Sequence, residues 1–513
     1  MTIKFIILIL NIIFCSELLS NISFGTKEIK DLYEQKISDT MSYAIDSLKY
    51  HSDGYSSVTD HLASVRLLGL SQGMGDPTYT QYQPFANYRI YGFSGINIRG
   101  SSRQTVDALS IGAFLLPNKY EPDFNNRDIN AHAKTIMTGG HSAIGFFFNP
   151  IQRGTQRNIY AILEFNFTGT VVFNRGCITI RHAFGEITWG NGSFLFGQYF
   201  HPLFLKECFP RVVNSNTGAP FEPRALVPQL RINQLIKNIE LTFTLASQSY
   251  MCSWGPFIPL NINAQGYIIA NNNTYIANSM VPNINITAKF LRSNNSYYGF
   301  SFDYLNLCPN IDDSNSNRNF KTNVRAQSFI GEIYAHNVFN SGEINMKLVF
   351  AQNGSSQLLI SGYGISANID LKKGIPRSYT PTNAISFWID SFYLFKKDSM
   401  QVGLFIGAVK NLGAFNQLNV EIGSNQAAVY TLGYLANASI LPSRGFVSYP
   451  IQLLSYDYRI STRYVYTNNP FRIAIELGFD SAGYGDSITK YAVPLNVKPV
   501  YLFIYDISIA YVY

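Results

Sequence analysis

Charged residues are scarce in this sequence. Asp, Glu, Lys and Arg make up 14% of its 513 residues, against about 25% in a typical soluble domain. Long apolar runs are scarce too, because after residue 15 no stretch reaches the ~20 residues that a membrane-spanning helix needs. These shortages argue against an ordinary soluble enzyme and against a helical transporter. Strands that alternate apolar and polar residues explain both shortages. Their apolar and polar residues cancel each other when hydropathy is averaged over a window.

Signatures of catalysis and of metal binding are also missing. Gly-x-Ser-x-Gly, the P-loop and His-Glu-x-x-His do not occur, and no Cys/His cluster has the spacing of a zinc site. The net charge of +7 is spread along the chain without a basic cluster. We therefore expect no enzymatic activity, no metal, no cofactor and no nucleic-acid partner. Among the few cysteines, Cys208 and Cys252 fall in non-strand stretches, where either a disulfide or two free thiols fit.

The first 87 residues divide into three predicted segments. Residues 1–25 resemble a signal peptide, because Lys4 precedes an apolar stretch of the right length. Residues 26–70 are predicted to be a periplasmic helical segment, since apolar residues recur every three or four positions between 29 and 48. That helix either forms a short coiled coil that helps a trimer assemble, or packs on the following domain, or is a frayed tether. Residues 71–87, rich in Gly, Pro and polar residues, are predicted to be a linker.

Residues 88–513 are dominated by alternation. Apolar residues take every second position in 237–248, 344–350, 357–370 and 384–396. Many segments reach ten residues, enough to cross a bilayer on a tilt, and their apolar faces often end in Tyr or Phe, as in aromatic girdles. The sequence therefore predicts an all-β fold: a transmembrane antiparallel β-barrel of about 16–18 strands, preceded by a short N-terminal periplasmic helix.

The last strand carries a candidate assembly signal. Every odd position from 501 to 513 is aromatic or Ile, and the alternation runs to the final residue. Such an ending resembles the signal that the outer-membrane barrel assembly machinery recognises, with Tyr513, Tyr511 and Ile509 as its outward residues. The alternative is an ordinary buried last strand.

Charged residues on the polar strand faces are candidates for lining a pore. A charge on the lipid face costs about 2–4 kcal/mol at the midplane, so the lumen is its natural place. Inward Arg and Lys would favour anions; alternatively they pair with carboxylates such as Asp457 and only brace the wall. The candidate pore-lining residues are Arg459, Arg463, Arg472, Glu476, Asp480, Lys347, Arg325 and Glu240.

Residues 181–232 carry a more specific series of motifs. It runs through Gly197-Gln-Tyr-Phe-His-Pro, Asn216-Thr-Gly-Ala-Pro-Phe-Glu-Pro and Pro228-Gln-Leu-Arg-Ile. This series resembles the DcaP-like and Bacteroidetes-type outer-membrane porins, although Phe200 stands where Trp is expected. The resemblance implies a trimeric barrel in the bacterial outer membrane, a periplasmic N-terminal helix, and passage of small, often anionic, solutes.

Within that series, residues 205–227 contain too many Pro and Gly residues to be a strand. Their polar backbone cannot face lipid, so they either fold into the lumen and narrow it or form a surface loop against a neighbouring subunit. The candidate constriction residues are Pro210, Asn216, Gly218, Pro220, Phe221 and Arg224.

The sequence thus favours an outer-membrane porin, a passive channel for small hydrophilic solutes, with anions as one candidate class. Its expected partners are the lipid bilayer, lipopolysaccharide, the barrel assembly machinery, two further copies in a homotrimer, and the solutes. The main alternative is an adhesin or structural barrel with a closed lumen and no enzymatic activity. A barrel enzyme and a soluble secreted β-protein are weaker alternatives.

Overall fold

The computed structural model describes most of the chain after residue 87. The predicted signal peptide, periplasmic helix and linker lie outside the described residues. The described ranges are 88–108, 113–139, 142–149, 157–167, 178–249, 252–253, 273–292, 295–309, 311–315, 318–367, 369–370, 375–376, 378–395, 399–418, 429–430, 453–468 and 470–513.

In this part of the chain, sixteen long strands follow one another in antiparallel order. The second strand is interrupted, and its two segments pair with successive parts of the first. The strands are β1 Tyr88–Ser101, β2 Lys134–Thr138 with Ala143–Phe148, β3 Arg157–Asn166, β4 Thr179–Trp189, β5 Gly192–Phe200, β6 Leu226–Ile236, β7 Ile239–Ala246, β8 Asn283–Leu291, β9 Tyr297–Leu307, β10 Ala326–Phe339, β11 Gly342–Gln352, β12 Tyr379–Phe395, β13 Met400–Ala414, β14 Leu453–Asn468, β15 Phe471–Gly485 and β16 Lys498–Val512.

The sheet closes on itself between β1 and β16. Ile98 lies opposite Ile507 in this pair, and Gly92 and Tyr513 exchange backbone hydrogen bonds of 2.9 and 3.0 Å. Closure leaves no strand edge unpaired along this seam, which a sheet in lipid requires. The predicted antiparallel barrel is therefore confirmed, with a strand number at the lower end of the predicted range.

Side chains alternate between the two sides of the wall. On β15, Ile473 and Leu477 are 40% and 57% exposed, whereas Ala474 and Glu476 between them are 1% and 2% exposed. The apolar residues thus form an outward band and the polar residues face the lumen, as predicted for this strand and for β16. At the start of β14 the register shifts. Leu454, which the alternation of this strand places on the outward face with Tyr456, is instead buried among residues of the lumen.

One predicted strand is wrong. Residues 357–370 do not cross the barrel; they follow a 3-10 turn, Gly354–Gln357, and contribute only the short strands Tyr363–Ile365 and Ile369–Asp370. Asn353 and Leu358 adopt left-handed backbone angles, with φ of 49° and 61°, which extended strands do not allow. The alternating apolar residues here serve a buried loop.

The two ends of the barrel differ. At the end where the chain terminates, several strands are joined by two-residue turns, such as 190–191, 237–238 and 340–341. The opposite end, called the loop end here, carries long connections. They contain the helix Thr274–Ser279 and short strands, and no helix among the described residues is long and apolar enough to cross a membrane. The short strands are Thr105–Ala108, Ala113–Pro117, Asp312–Asn315, Arg318–Lys321, Ile375–Pro376, Val429–Tyr430, Ser487–Ile488 and Pro494–Leu495.

Candidate functional site: the barrel lumen

The connection between β5 and β6, residues 201–225, crosses the lumen and is called the lumen loop here. Its two ends join neighbouring strands, yet the Asn214 amide donates to both Asp506 carboxylate oxygens on β16, at 3.1 and 3.2 Å. The backbone NH groups of Val213 and Asn214 donate to Glu476 on β15. Contacts with these distant strands require the loop to lie inside the barrel, and residues 208–225 are all buried.

A three-residue charge cluster fixes the returning half of the lumen loop. The Lys347 ammonium on β11 lies 2.8 Å from Glu222 of the loop and 3.4 Å from Glu332 on β10, and all three side chains are fully buried. Lys347 also donates to the Leu203 carbonyl at 2.7 Å, and Trp388 donates to Glu222 at 2.7 Å. Burial raises the pKa of Glu222 to about 7, although Lys347 opposes the shift. Lys347 is therefore an anchor for the loop.

Two of the predicted pore-lining residues, Arg459 and Arg463 on β14, lie beneath the lumen loop. Arg459 Nε is 2.7 Å from Asp480 Oδ2. Arg463 forms a bidentate ion pair with Asp390, with hydrogen bonds of 2.6 and 2.9 Å. Both arginines are almost fully buried, at 2% and 3% exposed. Because both arginines are paired with carboxylates and shielded from water, they stabilise the packing of the lumen loop on the wall. Of the two roles expected for inward arginines, Arg459 and Arg463 therefore have the second: they pair with carboxylates and brace the wall.

The Arg463–Asp390 pair depends on a glycine between them. Arg463 is on β14 and Asp390 is on β12, so the side chain must pass over β13. Gly403 lies on β13 at that point, and a Cβ there would come within 2.5 Å of the Arg463 guanidinium carbon. The missing side chain thus opens the way for an ion pair between strands that are not neighbours.

The other predicted lining residues fall into two groups. Arg472, Glu476 and Asp480 are buried on the inward face of β15, where Glu476 also accepts from Ser461 at 2.5 Å. Arg325 precedes β10 and donates to the Ser279 carbonyl of a connection at 2.6 Å. Its assignment to a polar strand face is therefore wrong, because its position outside the strand lets it reach a loop-end helix.

The six candidate constriction residues all lie in the lumen loop. Asn216 stabilises a tight turn by accepting from the Gly218 NH at 3.0 Å. Gly218 has a φ of +85°, and a Cβ there would meet Pro210 at 2.4 Å. Phe221 packs on Phe405 of the wall, with ring centroids 5.9 Å apart. Pro210 and Pro220 are buried in the same segment. Because proline has no NH to donate to a neighbouring strand, the segment does not form a strand.

Arg224 ends the loop close to other cationic groups. Its guanidinium donates to the Ser215 carbonyl at 2.8 Å, and its backbone NH donates to the Gln357 carbonyl at 2.9 Å. Burial lowers the pKa of Arg224 to about 9, and the nearby charge of Arg181 acts in the same direction. Arg181 itself is paired with Glu164 at 2.9 Å, so its charge is partly compensated.

Inward charges remain open to solvent on the opposite side of the lumen, on β6–β8 and near the start of the lumen loop. Glu240, Glu207 and Lys289 are 33%, 27% and 16% exposed, and Lys289 lies 3.7 and 3.9 Å from the two carboxylates. Lys206 and Arg231 are half-buried beside the same surface, with their charges 4.8 and 5.6 Å from the Tyr199 ring centroid. We call these five residues the open face.

Sequence reasoning identified Glu240 of the open face and missed the rest. Lys206 and Glu207 lie outside any strand, so alternation says nothing about them. Arg231 and Lys289 do occupy polar positions of alternating segments, and that pattern would have found them. Cys208 and Cys252 are free thiols in the structure, so no disulfide joins them.

Tyr513, Tyr511 and Ile509 face outward at the closing seam, at 40%, 44% and 42% exposed. Tyr511 packs edge-on against Phe471 of β15. Within the described residues, no group of three or more His, Cys, Asp or Glu side chains is arranged to hold a metal ion. His201 instead bonds Asn283 at 2.9 Å in the wall.

Comparisons with known proteins support the fold. No protein-family model and no curated protein matches the sequence. The chain is similar in structure to the outer membrane channel DcaP of Acinetobacter baumannii, with 12% identity, a TM-score of 0.54, and coverage of 84% of this chain and 99% of that one. More distant similarity extends to OmpT of Vibrio cholerae, at 8% identity, a TM-score of 0.44, and coverage of 85% and 100%.

The fold and the outward surface together indicate the surroundings that this barrel suits. A closed sixteen-stranded barrel with an apolar outer band suits the interior of a bilayer, and the channel DcaP shares this fold. The chain therefore folds as a sixteen-stranded β-barrel similar to that of the channel DcaP, with an outer surface suited to a lipid bilayer.

Proposed function

We propose that this protein is a passive channel through which small hydrophilic solutes cross the outer membrane. The observation that carries the proposal is the contrast between the two sides of the lumen. Wall charges under the lumen loop, such as Asp390 and Asp480, are fully buried, whereas Glu240 across the lumen is 33% exposed. Water therefore reaches the open face, which offers charged side chains to a hydrophilic solute.

The open face supports a weak preference for anions. It carries three cations, Lys206, Arg231 and Lys289, against two carboxylates, Glu207 and Glu240. Inward cations lower the barrier for anions in a pore. Because the open face carries charges of both signs, with Lys289 between the two carboxylates, its preference for anions should be modest. Small anions and zwitterions are therefore the expected solutes.

A structural or adhesive barrel with a closed lumen is the second candidate. It is favoured by the dense filling near β10–β16, where Trp388, Phe405 and Phe221 are fully buried together. If that filling extends across the whole lumen in the membrane, no solute passes. Loop-end connections such as residues 119–133 would then be the functional surface.

The remaining parts of the proposal concern assembly. Residues 1–25 direct export, residues 26–70 form a periplasmic helix, and the C-terminal strand engages the barrel assembly machinery. The barrel associates as a homotrimer, and lipopolysaccharide surrounds its loop end. The short turns then face the periplasm, as in other barrels of this kind.

Conductance of the refolded protein in a planar bilayer tests the proposal. A channel gives discrete, lasting current steps in potassium chloride. In a salt gradient, its reversal potential should be displaced toward the equilibrium potential of chloride. Absence of steps from folded, heat-modifiable protein would reject the channel and leave the closed barrel. A reversal potential on the cation side would reject the anion preference alone.

A further inference from the structure

We infer that the paired short strands Thr105–Ala108 and Ala113–Pro117, a hairpin in the connection between β1 and β2, are a second element that narrows the channel. The hairpin, called the plug hairpin here, enters the lumen from the loop end and fills the space in front of β14–β16. The inference rests on the proposed channel function and assigns part of its size limit to this segment.

The plug hairpin is packed as tightly as a protein core. Phe114, Leu115 and Leu116 are 0%, 1% and 0% exposed, although they belong to a connection between strands. Phe114 packs against Leu502 and Ile504, which are inward residues of β16. Apolar side chains buried to this extent leave no water between the hairpin and the wall.

Three donors hold the backbone of the plug hairpin. Arg459 donates to the Leu115 carbonyl at 2.7 Å, and Tyr484 donates to the Pro117 carbonyl at 2.5 Å. Both donors are on the wall, on β14 and β15. The third is Asn216 of the lumen loop, which donates to the Phe114 carbonyl at 2.6 Å. Since a buried donor without a partner destabilises the folded state, these bonds favour the inserted position.

Arg459 joins the plug hairpin to the lumen loop. Its guanidinium lies 4.5 Å from the Phe114 ring centroid and 5.1 Å from that of Phe221, and it donates to the Ala219 carbonyl of the loop at 3.2 Å. One cation thus binds both segments to the wall. The hairpin and the loop therefore form one obstruction, and solute is confined to the side of the open face.

The stem of the hairpin fixes where it enters. Arg103 bonds Asp128 at 2.6 Å and the Asn118 carbonyl at 2.7 Å. Beyond the stem the same connection is exposed to solvent, with Phe124 fully exposed at its tip. Burial is thus specific to the plug hairpin and is not a general property of this connection.

Excision of the plug hairpin tests the inference. The Asn118 NH donates to the Gln104 carbonyl at 2.9 Å, so Asn-Gly can replace residues 105–117 without stretching the stem. We expect single-channel conductance to rise about two-fold or more, because a sixteen-stranded wall encloses an aqueous channel where nothing fills it. Liposome-swelling assays should show larger neutral sugars entering than with the parent protein.

A second excision in the same connection is the matched control. The Asp123 NH donates to the Arg127 carbonyl at 2.8 Å, so Asn-Gly can replace residues 124–126 at the exposed tip. This change should leave conductance and sugar entry at the parent values. An equal rise in both variants would overturn the inference, as would a folded hairpin excision that behaves like the parent.

Two further outcomes separate this inference from the channel proposal. A silent parent with a conducting excision variant rejects the native channel but supports the plug, whereas silence in both folded proteins rejects both. If the excised protein does not fold, Phe114→Ala with Leu116→Ala keeps the three backbone bonds and removes side-chain volume from the lumen. That variant should conduct more than the parent, and unchanged conductance would overturn the inference.

Discussion

Arg459 and Asp480 face each other across β14 and β15, with Nε 2.7 Å from Oδ2 and with 2% and 0% of their side chains exposed. The pair lies under the lumen loop and beside the plug hairpin, so it is part of the filling of the barrel. Its contribution is to hold wall, loop and hairpin together.

Removing the cation of this pair should destabilise the barrel. Arg459→Met leaves Asp480 buried without its partner, which costs about 3–5 kcal/mol, and chaotrope unfolding in detergent micelles measures the loss. Adding Asp480→Asn should recover part of it, because the uncompensated charge is gone. Equal stability of Arg459→Met and the parent would contradict the bracing role.

The Lys347 cluster predicts an asymmetry between two substitutions. Lys347→Met leaves Glu222 and Glu332 buried with no cation and should cost about 3–5 kcal/mol. Glu222→Gln keeps a one-to-one pair between Lys347 and Glu332. Its amide oxygen can accept from Trp388 but its NH2 then faces the Lys347 ammonium, so it should destabilise the barrel clearly less than Lys347→Met does. Thermal conversion of the compact band in gel electrophoresis compares them, and similar losses in both variants would argue against the anchor.

Glu222 should make barrel stability depend on pH. Its pKa is raised from 4.5 to about 7 by burial, so the folded protein holds this proton more tightly than the unfolded chain does. Stability is then highest below about pH 4.5, falls as the pH rises to about 7, and is flat above. At ~1.4 kcal/mol per pKa unit, the change is on the order of 3 kcal/mol.

Glu222→Gln is the control for this pH effect. Other carboxylates titrate in the same range, so the readout is the difference between the parent and this variant at pH 5 and at pH 8. The parent should lose more stability than the variant over that interval. Parallel curves would show that Glu222 does not titrate as described.

Selectivity should follow the open face and not the buried arginines. Changing Lys206, Arg231 and Lys289 together to Gln removes three solvent-facing cations and leaves Glu207 and Glu240, so the reversal potential should move toward cations. Lys321→Gln, an exposed charge on a loop-end hairpin, is the comparison and should leave it in place. A larger shift from Lys321→Gln than from the triple change would place selectivity at the mouth.

The C-terminal residues should be required for membrane assembly. Deleting residues 511–513 removes the outward aromatics and the bonds between Tyr513 and Gly92, so the protein should accumulate in the periplasm or be degraded. Tyr513→Ala keeps those backbone bonds and separates an assembly signal from barrel closure. Parent levels of heat-modifiable barrel from the deletion variant would reject both roles.

Alternation determined the wall of this protein from sequence alone. On β15, Ile473 and Ile475 alternate with Arg472 and Glu476, and because a strand has a side-chain period of two, the faces follow directly. The same rule failed at residues 357–370 and at Leu454, since alternation does not reveal left-handed backbone angles or a register shift. The Pro and Gly content of residues 205–227 excluded a strand but left their position open.

Only the tertiary structure decided what fills the lumen. Arg463 pairs with Asp390 from two strands away, across Gly403, and no spacing in the sequence links these three positions. Barrel closure brings Arg459 against Leu115, 344 residues apart in the chain. The sequence shows which residues turn inward, because that depends on the local period. Whether an inward charge meets water, a carboxylate or a loop depends on which distant segments enter the barrel. That arrangement exists only in the closed tertiary structure.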